Sequence, residues 1–250
     1  MKLKFFAAVA LLTTLVGCAS NEAKDDFVNT NQTAQQAYND AKAILDSGLY
    51  SRAIELLKGM ESRYPFGPVA RQVQLDLIYA YSMSGDAKKA LASIDRFIKL
   101  NPNHPDLDYV YYMRGLTNLQ QDQNSFQEFF GVERADRDLA NTRQAFDDFK
   151  ILVTNYPNSR YAAAGKVQLV RIKDKLATHE LLIADYYTRR GAHLAAANRA
   201  RYVVENYRDC PQVKTALEVM VQSYDALGLT KLRDDAKAVL QQNFSVNAAN

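Results

Sequence analysis

Apolar side chains divide the chain into three stretches. Behind Lys2 and Lys4, about twelve mostly apolar residues run from Phe5 to Val16. That is far short of the roughly 20 a membrane-spanning helix needs. From Ala19 to about Thr33 the apolar pattern disappears. Asn21, Glu22, Lys24, Asp25, Asp26, Asn29, Asn31 and Gln32 offer nothing to bury, so a flexible spacer is expected there. From Ala34 onward the pattern is helical and stays so to about Phe244, which predicts an all-α body.

Glycine and proline punctuate that body at regular intervals. Gly48 lies seventeen residues ahead of Pro65 and Gly85 seventeen ahead of Pro102 (48 to 65, 85 to 102), so both landmarks recur at a spacing of 37. Gly191 and Gly228 stand at the same spacing. Glycine takes a tight left-handed turn at little cost, nearby alanines let two helices approach, and proline ends the second helix of each unit. The pattern resembles the tetratricopeptide repeat, a helix hairpin with a period of about 34. Five hairpins are expected. They are Ala34–Ser47 with Tyr50–Arg63, Ala70–Ser84 with Ala87–Leu100, Asp106–Gln121 with Arg143–Tyr156, Arg160–Arg190 with Ala192–Asn206, and a last pair from Pro211 to about Phe244. Pro157 follows Pro102 by 55 residues rather than 37, so roughly 18 extra residues sit within unit three, near 122–142. Stacked hairpins form a superhelix with a concave surface suited to holding a partner.

The N-terminal run closes on Leu15-Val16-Gly17-Cys18. Small residues before a cysteine look like a bacterial lipobox, in which the thiol is lipidated and the chain is cut just before it. The expected divisions are therefore a signal peptide at 1–17, a tether at 18–33, repeats one to three at 34–157 and repeats four and five at 158–246. A diacylglycerol on Cys18 plus an amide-linked chain such as palmitate buries dozens of methylenes at about 0.8 kcal/mol each, more than stable anchoring needs. Ala19, rather than an aspartate, follows the cysteine, which by this resemblance sends the protein to the periplasmic face of the outer membrane. With Cys18 lipidated, Cys210 has no partner in the chain and is read as a small residue in an interhelix turn.

Charge and motifs argue for binding over catalysis. The formal net charge is +3, and Lys2 and Lys4 leave with the signal, so no basic surplus points to nucleic acid. No HExxH, GxSxG, P-loop or CxxC occurs. His104, His179 and His193 are scattered and are expected to be exposed, and the acidic pairs Asp25-Asp26, Asp147-Asp148 and Asp234-Asp235 do not share a helix face. No enzyme, metal or cofactor is expected. Among the aromatics, Tyr50, Phe97 and Phe149 fall at interior repeat positions. Tyr38, Leu75 and Tyr79 fall on first-helix positions that face the groove in such repeats, and Gln35 and Gln72 are expected to add amide side chains to its lining. Tyr64 and Phe66 belong to a loop stiffened by Pro65, Gly67 and Pro68, which presents Phe66 at little cost in ordering.

Longer stretches are more specific. They include Tyr64-Pro65-Phe66-Gly67-Pro68, Gln72-Val73-Gln74-Leu75-Asp76-Leu77-Ile78-Tyr79-Ala80-Tyr81, Asp95-Arg96-Phe97-Ile98-Lys99-Leu100-Asn101-Pro102 and Tyr112-Met113-Arg114-Gly115-Leu116-Thr117-Asn118. Phe129-Phe130-Gly131-Val132-Glu133-Arg134, Tyr156-Pro157-Asn158-Ser159 and Tyr186-Tyr187-Thr188-Arg189-Arg190-Gly191-Ala192 follow in order. Together these resemble the BamD-type outer-membrane assembly lipoproteins over about Ala34 to Asn206. Unit four departs from the pattern by ending in Tyr207-Arg208 where tyrosine-proline is usual, and the last repeat matches only loosely.

The resemblance implies a subunit of the machinery that inserts β-barrels into the outer membrane. Its N-terminal repeats would handle unfolded barrel precursors and its C-terminal repeats would dock a BamA-type barrel subunit, with accessory lipoproteins also bound. Asp185, Arg189, Arg190, Arg199 and Arg201 are the expected docking residues, with Arg199 favoured. Two other roles share the anchor and fold: a periplasmic scaffold for cell-wall enzymes, and a competence lipoprotein for DNA uptake.

Overall fold

A computed structural model describes residues 32–127 and 139–244. Among the described residues ten α-helices and no strand are found: α1 (Ala34–Asp46), α2 (Tyr50–Arg63), α3 (Pro68–Met83), α4 (Ala87–Leu100), α5 (Leu107–Gln127), α6 (Ala140–Asn155), α7 (Ala162–Arg189), α8 (His193–Asn206), α9 (Val213–Ala226) and α10 (Thr230–Phe244). Successive helices pack antiparallel as hairpins, and α1 also touches α3, α3 touches α5, and α7 touches α9. The odd-numbered helices therefore form the inner layer of the array and the even-numbered helices its outer layer.

The hairpin turns share one chemistry. Gly48 and Gly85 take φ of 79° and 81°, the left-handed region that a side chain disfavours. Behind each, an amide reaches back to close the helix: Leu49 N–H donates to the Ile44 carbonyl at 3.3 Å and Asp86 N–H to the Tyr81 carbonyl at 3.0 Å. Gly191 and Gly228 repeat the arrangement. At the other end of the hairpins, Pro68 occupies the first position of α3, where its missing N–H costs nothing, so this helix begins two residues before the expected Ala70.

Interfaces between neighbouring hairpins hold the core. Ala37, Ala41, Leu57, Met60, Val73 and Leu77 join the first two hairpins. Ile78, Ile94, Phe97, Val110 and Met113 join the next, and Phe149, Leu152, Ile172, Leu176 and Val203 carry the core into α8. Phe97 and Phe149 are buried, as expected of interior positions. Tyr50 is not an interior residue: it is half-buried and meets Tyr79 edge-on at 6.2 Å, because its ring starts α2 beside the groove. The tightest approach is between α5 and α6, where a Cβ on Gly115 would lie 2.6 Å from the Phe149 ring.

Buried carboxylates are satisfied within the array. Asp148 accepts from Arg114 Nε at 2.7 Å and Asn118 Nδ2 at 2.9 Å. The expectation of exposed histidines fails. His104 packs edge-on against Phe97 at 5.1 Å, and His179 and His193 are half-buried between helices. Cys210 sits in the turn before α9, and burial pushes its thiol up to about 11, with Asp174 adding to the shift.

The helix α5 runs on to Gln127, beyond Gln121, and α6 begins at Ala140, ahead of Arg143. The centre of the expected insertion, 128–138, lies outside the described residues, as do Cys18, the signal and the tether through 31. Among the described residues no helix is long and apolar enough to cross a membrane.

Candidate functional site: the concave groove

The inner layer opens into a cavity of about 380 Å³. Lys42 and Asp46 come from α1, Gln72, Leu75, Asp76 and Tyr79 from α3, and Asp106 and Tyr109 from the entry to α5. Arg160 and Tyr161 close the far side from the entry to α7. The first helices of four consecutive hairpins thus contribute, α1 and α3 through residues spaced one helical turn apart on their inward sides and α5 and α7 through their N-terminal ends.

At the centre, Tyr38 Oη donates to Asp76 Oδ2 at 2.7 Å, and Gln72 Nε2 lies 3.5 Å from Oδ1. Burial pushes the Asp76 carboxyl above the usual carboxylate range, while the Tyr38 hydroxyl and Lys42 oppose the shift. Burial, then the bond to Asp76, pushes the Tyr38 phenol well above its ordinary value. Burial likewise raises Tyr79 and Tyr109. All three phenols are therefore neutral at physiological pH, and they offer ring faces and hydroxyls without charge. Arg160 lies over the Tyr161 ring at 4.8 Å and donates to its hydroxyl at 2.6 Å. Tyr161 in turn stacks on Tyr112 at 5.0 Å and tilts against Tyr109 at 5.6 Å. Lys42 is held by Asp46 at 2.5 Å. Such a surface can grip an extended chain through ring faces, hydroxyls and a guanidinium.

The residues expected in the groove divide into four groups. Gln72 and Tyr79 line it. Leu75 lies beneath as floor, only 4% exposed, because its side chain also fills the core against Ile78 and Phe97. Tyr38 acts through Asp76 rather than from the lining. Gln35, Tyr64 and Phe66 lie elsewhere. Gln35 is exposed near the start of α1 and bonds to Asn39 at 2.9 Å. Tyr64 and Phe66 belong to the connection from α2 to α3, which runs along the edge of the array rather than into it.

Lys42, Asp46, Asp76, Asp106, Tyr109, Arg160 and Tyr161 were not legible as groove residues from sequence. One signal was present: the 37-residue spacing that relates Gln35 to Gln72 continues to Tyr109 (35, 72, 109).

The expected docking residues lie on the fourth hairpin. Asp185 and Arg189 pair with each other at 3.1 Å, Arg190 covers Tyr186 at 4.9 Å, and Arg201 pairs with Glu205 at 3.7 Å. Arg199 has a different environment from the one expected. Its guanidinium reaches Glu180 Oε2 at 3.0 Å while Arg143 reaches Oε1 at 3.2 Å, and Glu180 is only 2% exposed. A buried carboxylate demands a partner, and Arg199 supplies one within the chain. Beside these charges Tyr186, Leu194 and Tyr202 are exposed, with Leu194 and Tyr202 about two turns apart on α8.

A family model described as "Outer membrane lipoprotein", YfiO, matches residues 30–240. A protein of Vibrio cholerae named "Outer membrane protein assembly factor BamD" is 41% identical over 243 residues, covering 97% of this chain and 99% of that protein. Proteins of the same name in Neisseria meningitidis serogroup A and Haemophilus influenzae are 37% and 35% identical. They cover 96% and 97% of this chain and 91% of each relative.

Proposed function

We propose a function from one premise: this chain belongs to the YfiO family of outer membrane lipoproteins. It is an assembly factor of the outer membrane, held by lipid on Cys18, that binds unfolded β-barrel precursors and docks a BamA-type barrel subunit together with accessory lipoproteins. The relatives carry the assembly name over nearly their full length.

The observation that carries the binding role is the groove across α1, α3, α5 and α7, with Tyr79, Tyr109 and Tyr161 at its wall and Arg160 at its rim. A barrel precursor is an extended chain of alternating apolar side chains with its backbone unpaired. Ring faces accept the apolar positions, and hydroxyl, amide and guanidinium groups accept the backbone. Such contacts release as readily as they form, which suits a client that must move on to the membrane. No nucleotide is required.

Docking of the barrel subunit is assigned to α7 and α8. Asp185, Arg189, Arg190 and Arg201 lie on the same hairpin as the exposed Tyr186, Leu194 and Tyr202. Aromatic residues and arginine together are what interface centres favour. Arg199 contributes by fixing Glu180, so that α7 and α8 keep their spacing.

Affinity purification of the full-length protein from detergent-extracted membranes tests the role. A large barrel subunit is expected to come with it. Recovery of cell-wall enzymes in place of that subunit would overturn the assembly reading.

A further inference from the structure

Among the described residues Phe66 is the most exposed of the large apolar side chains, at 88%, and the groove leaves it unused. Its exposure is built in. Pro65 and Pro68 bracket it, and Gly67 at φ 99° completes a bend that a side chain would disfavour. A stiff loop presents an aromatic ring without the entropy cost of ordering it.

Three further observations define its setting. First, the next connection lies alongside: Arg71 shares a cavity with Asn101, Pro102, Asn103, His104 and Pro105. Leu100, at the end of α4, is 63% exposed at the same edge. Second, residues 63–71 and 99–105 contain Arg63, Arg71 and Lys99 and no aspartate or glutamate. Asp106 closes the second connection as an exposed carboxylate beside His104, so with three cations against this one acid the edge is apolar at its tips and net cationic around them. Third, the Tyr64 hydroxyl donates to the Gln32 carbonyl at 3.2 Å, which ties the start of the described chain to this loop. Gln32 is fourteen residues from Cys18 (18 to 32), a reach of at most about 50 Å. The opposite edge, where Leu49 begins α2, lies a helix length of about 20 Å further from that exit.

We propose that the edge formed by Phe66, Leu100 and their basic neighbours is a membrane contact, which seats the repeat array against the phospholipid surface that holds its anchor. The inference rests on the reading of Cys18 as the lipidated residue. An aromatic ring and a leucine enter the interfacial zone, while Arg63, Arg71 and Lys99 meet anionic headgroups. Neither contact would hold a protein at a bilayer alone. With the chain already confined near the surface, weak insertion is enough to set its orientation. The repeat array is then held at a fixed angle to the membrane.

The chain contains no tryptophan, so a single introduced one reports its own surroundings. Full-length lipidated protein carrying Phe66→Trp, or Leu49→Trp at the opposite edge, is reconstituted into vesicles of phosphatidylethanolamine and phosphatidylglycerol with brominated acyl chains. Leu49 is 56% exposed, so both substitutions lie at the surface. The expected result is blue-shifted emission and at least a twofold loss of intensity for Phe66→Trp, with Leu49→Trp unaffected. Equal quenching of both, or of neither, overturns the proposal. So does a Phe66→Trp signal that stays aqueous on vesicles and shifts only when a protein partner is added. Lipid attachment is read separately, by flotation with the vesicles and by the mass of the N-terminal fragment. Protein without lipid on Cys18 defeats the anchor and the proposal together, whereas lipidated protein with unquenched Phe66→Trp defeats the proposal alone.

Discussion

Arg199 shows how a single side chain changes meaning between sequence and structure. On its helix it reads as a surface charge available to a partner. In the array it neutralises one oxygen of Glu180 while Arg143 takes the other. Reversal to glutamate would set a second carboxylate against the buried Glu180. Breaking a fully buried pair costs about 3–5 kcal/mol. Arg143 remains, and both arginines are part-exposed, so Arg199→Glu is expected to cost about 1–3 kcal/mol. Denaturant unfolding checks this, and an unchanged midpoint would place Glu180 outside any such dependence. A loss of docking by this variant therefore reports on the fold, and Arg201 or Arg189 is the better probe of the interface. Sequence could not supply this distinction, because Glu180 is 19 residues from one partner and 37 from the other. The pairing exists only once three helices have packed.

Between elements, the closest tolerance is where α5 crosses α6. Gly115 lets the Phe149 ring lie directly on the helix backbone. Alanine favours a helix over glycine by about 1 kcal/mol, whereas overpacking a dense core costs about 1–3 kcal/mol. With the ring held fully buried, the second effect wins, and Gly115→Ala is expected to lower the melting temperature. Phe149→Leu added to that variant should recover part of the loss, while a raised melting temperature for Gly115→Ala would show that the ring moves aside. Helix placement itself was largely legible, because Gly48, Gly85, Gly191 and Gly228 mark the four described turns within hairpins where a left-handed residue is needed. Ends were less so. Pro68 reads as part of a loop but starts α3, and nothing in 121–127 stops α5. The groove was legible only in part. Repeat phase identifies Gln72 and Tyr79, but Arg160 and Tyr161 reach it from beyond the insertion, which breaks that phase.

As a whole molecule, the array separates its tasks by place. The first three hairpins and the entry to α7 enclose the groove, the fourth carries an exposed aromatic and arginine face, and the edge beside Tyr64 receives the chain from Cys18. Under the proposed function, a client held in the groove would be offered to a partner on α7 and α8 without competing for the same surface. The central claim is that the groove itself holds extended barrel segments. Fluorescence anisotropy of a labelled peptide of alternating apolar and polar residues, titrated with the full-length protein, measures this directly. Tyr79→Ala removes one ring from the wall, and an aromatic anchor of about 1.4 kcal/mol corresponds to tenfold in affinity. Tyr79 also packs against the core and Tyr50, so some loss of stability is expected; binding is predicted to weaken about tenfold even where the variant is fully folded, with Leu232→Ser, on the exposed face of α10, binding as the unaltered protein does. Unchanged affinity for Tyr79→Ala, or affinity that falls only as far as stability does, would contradict the account.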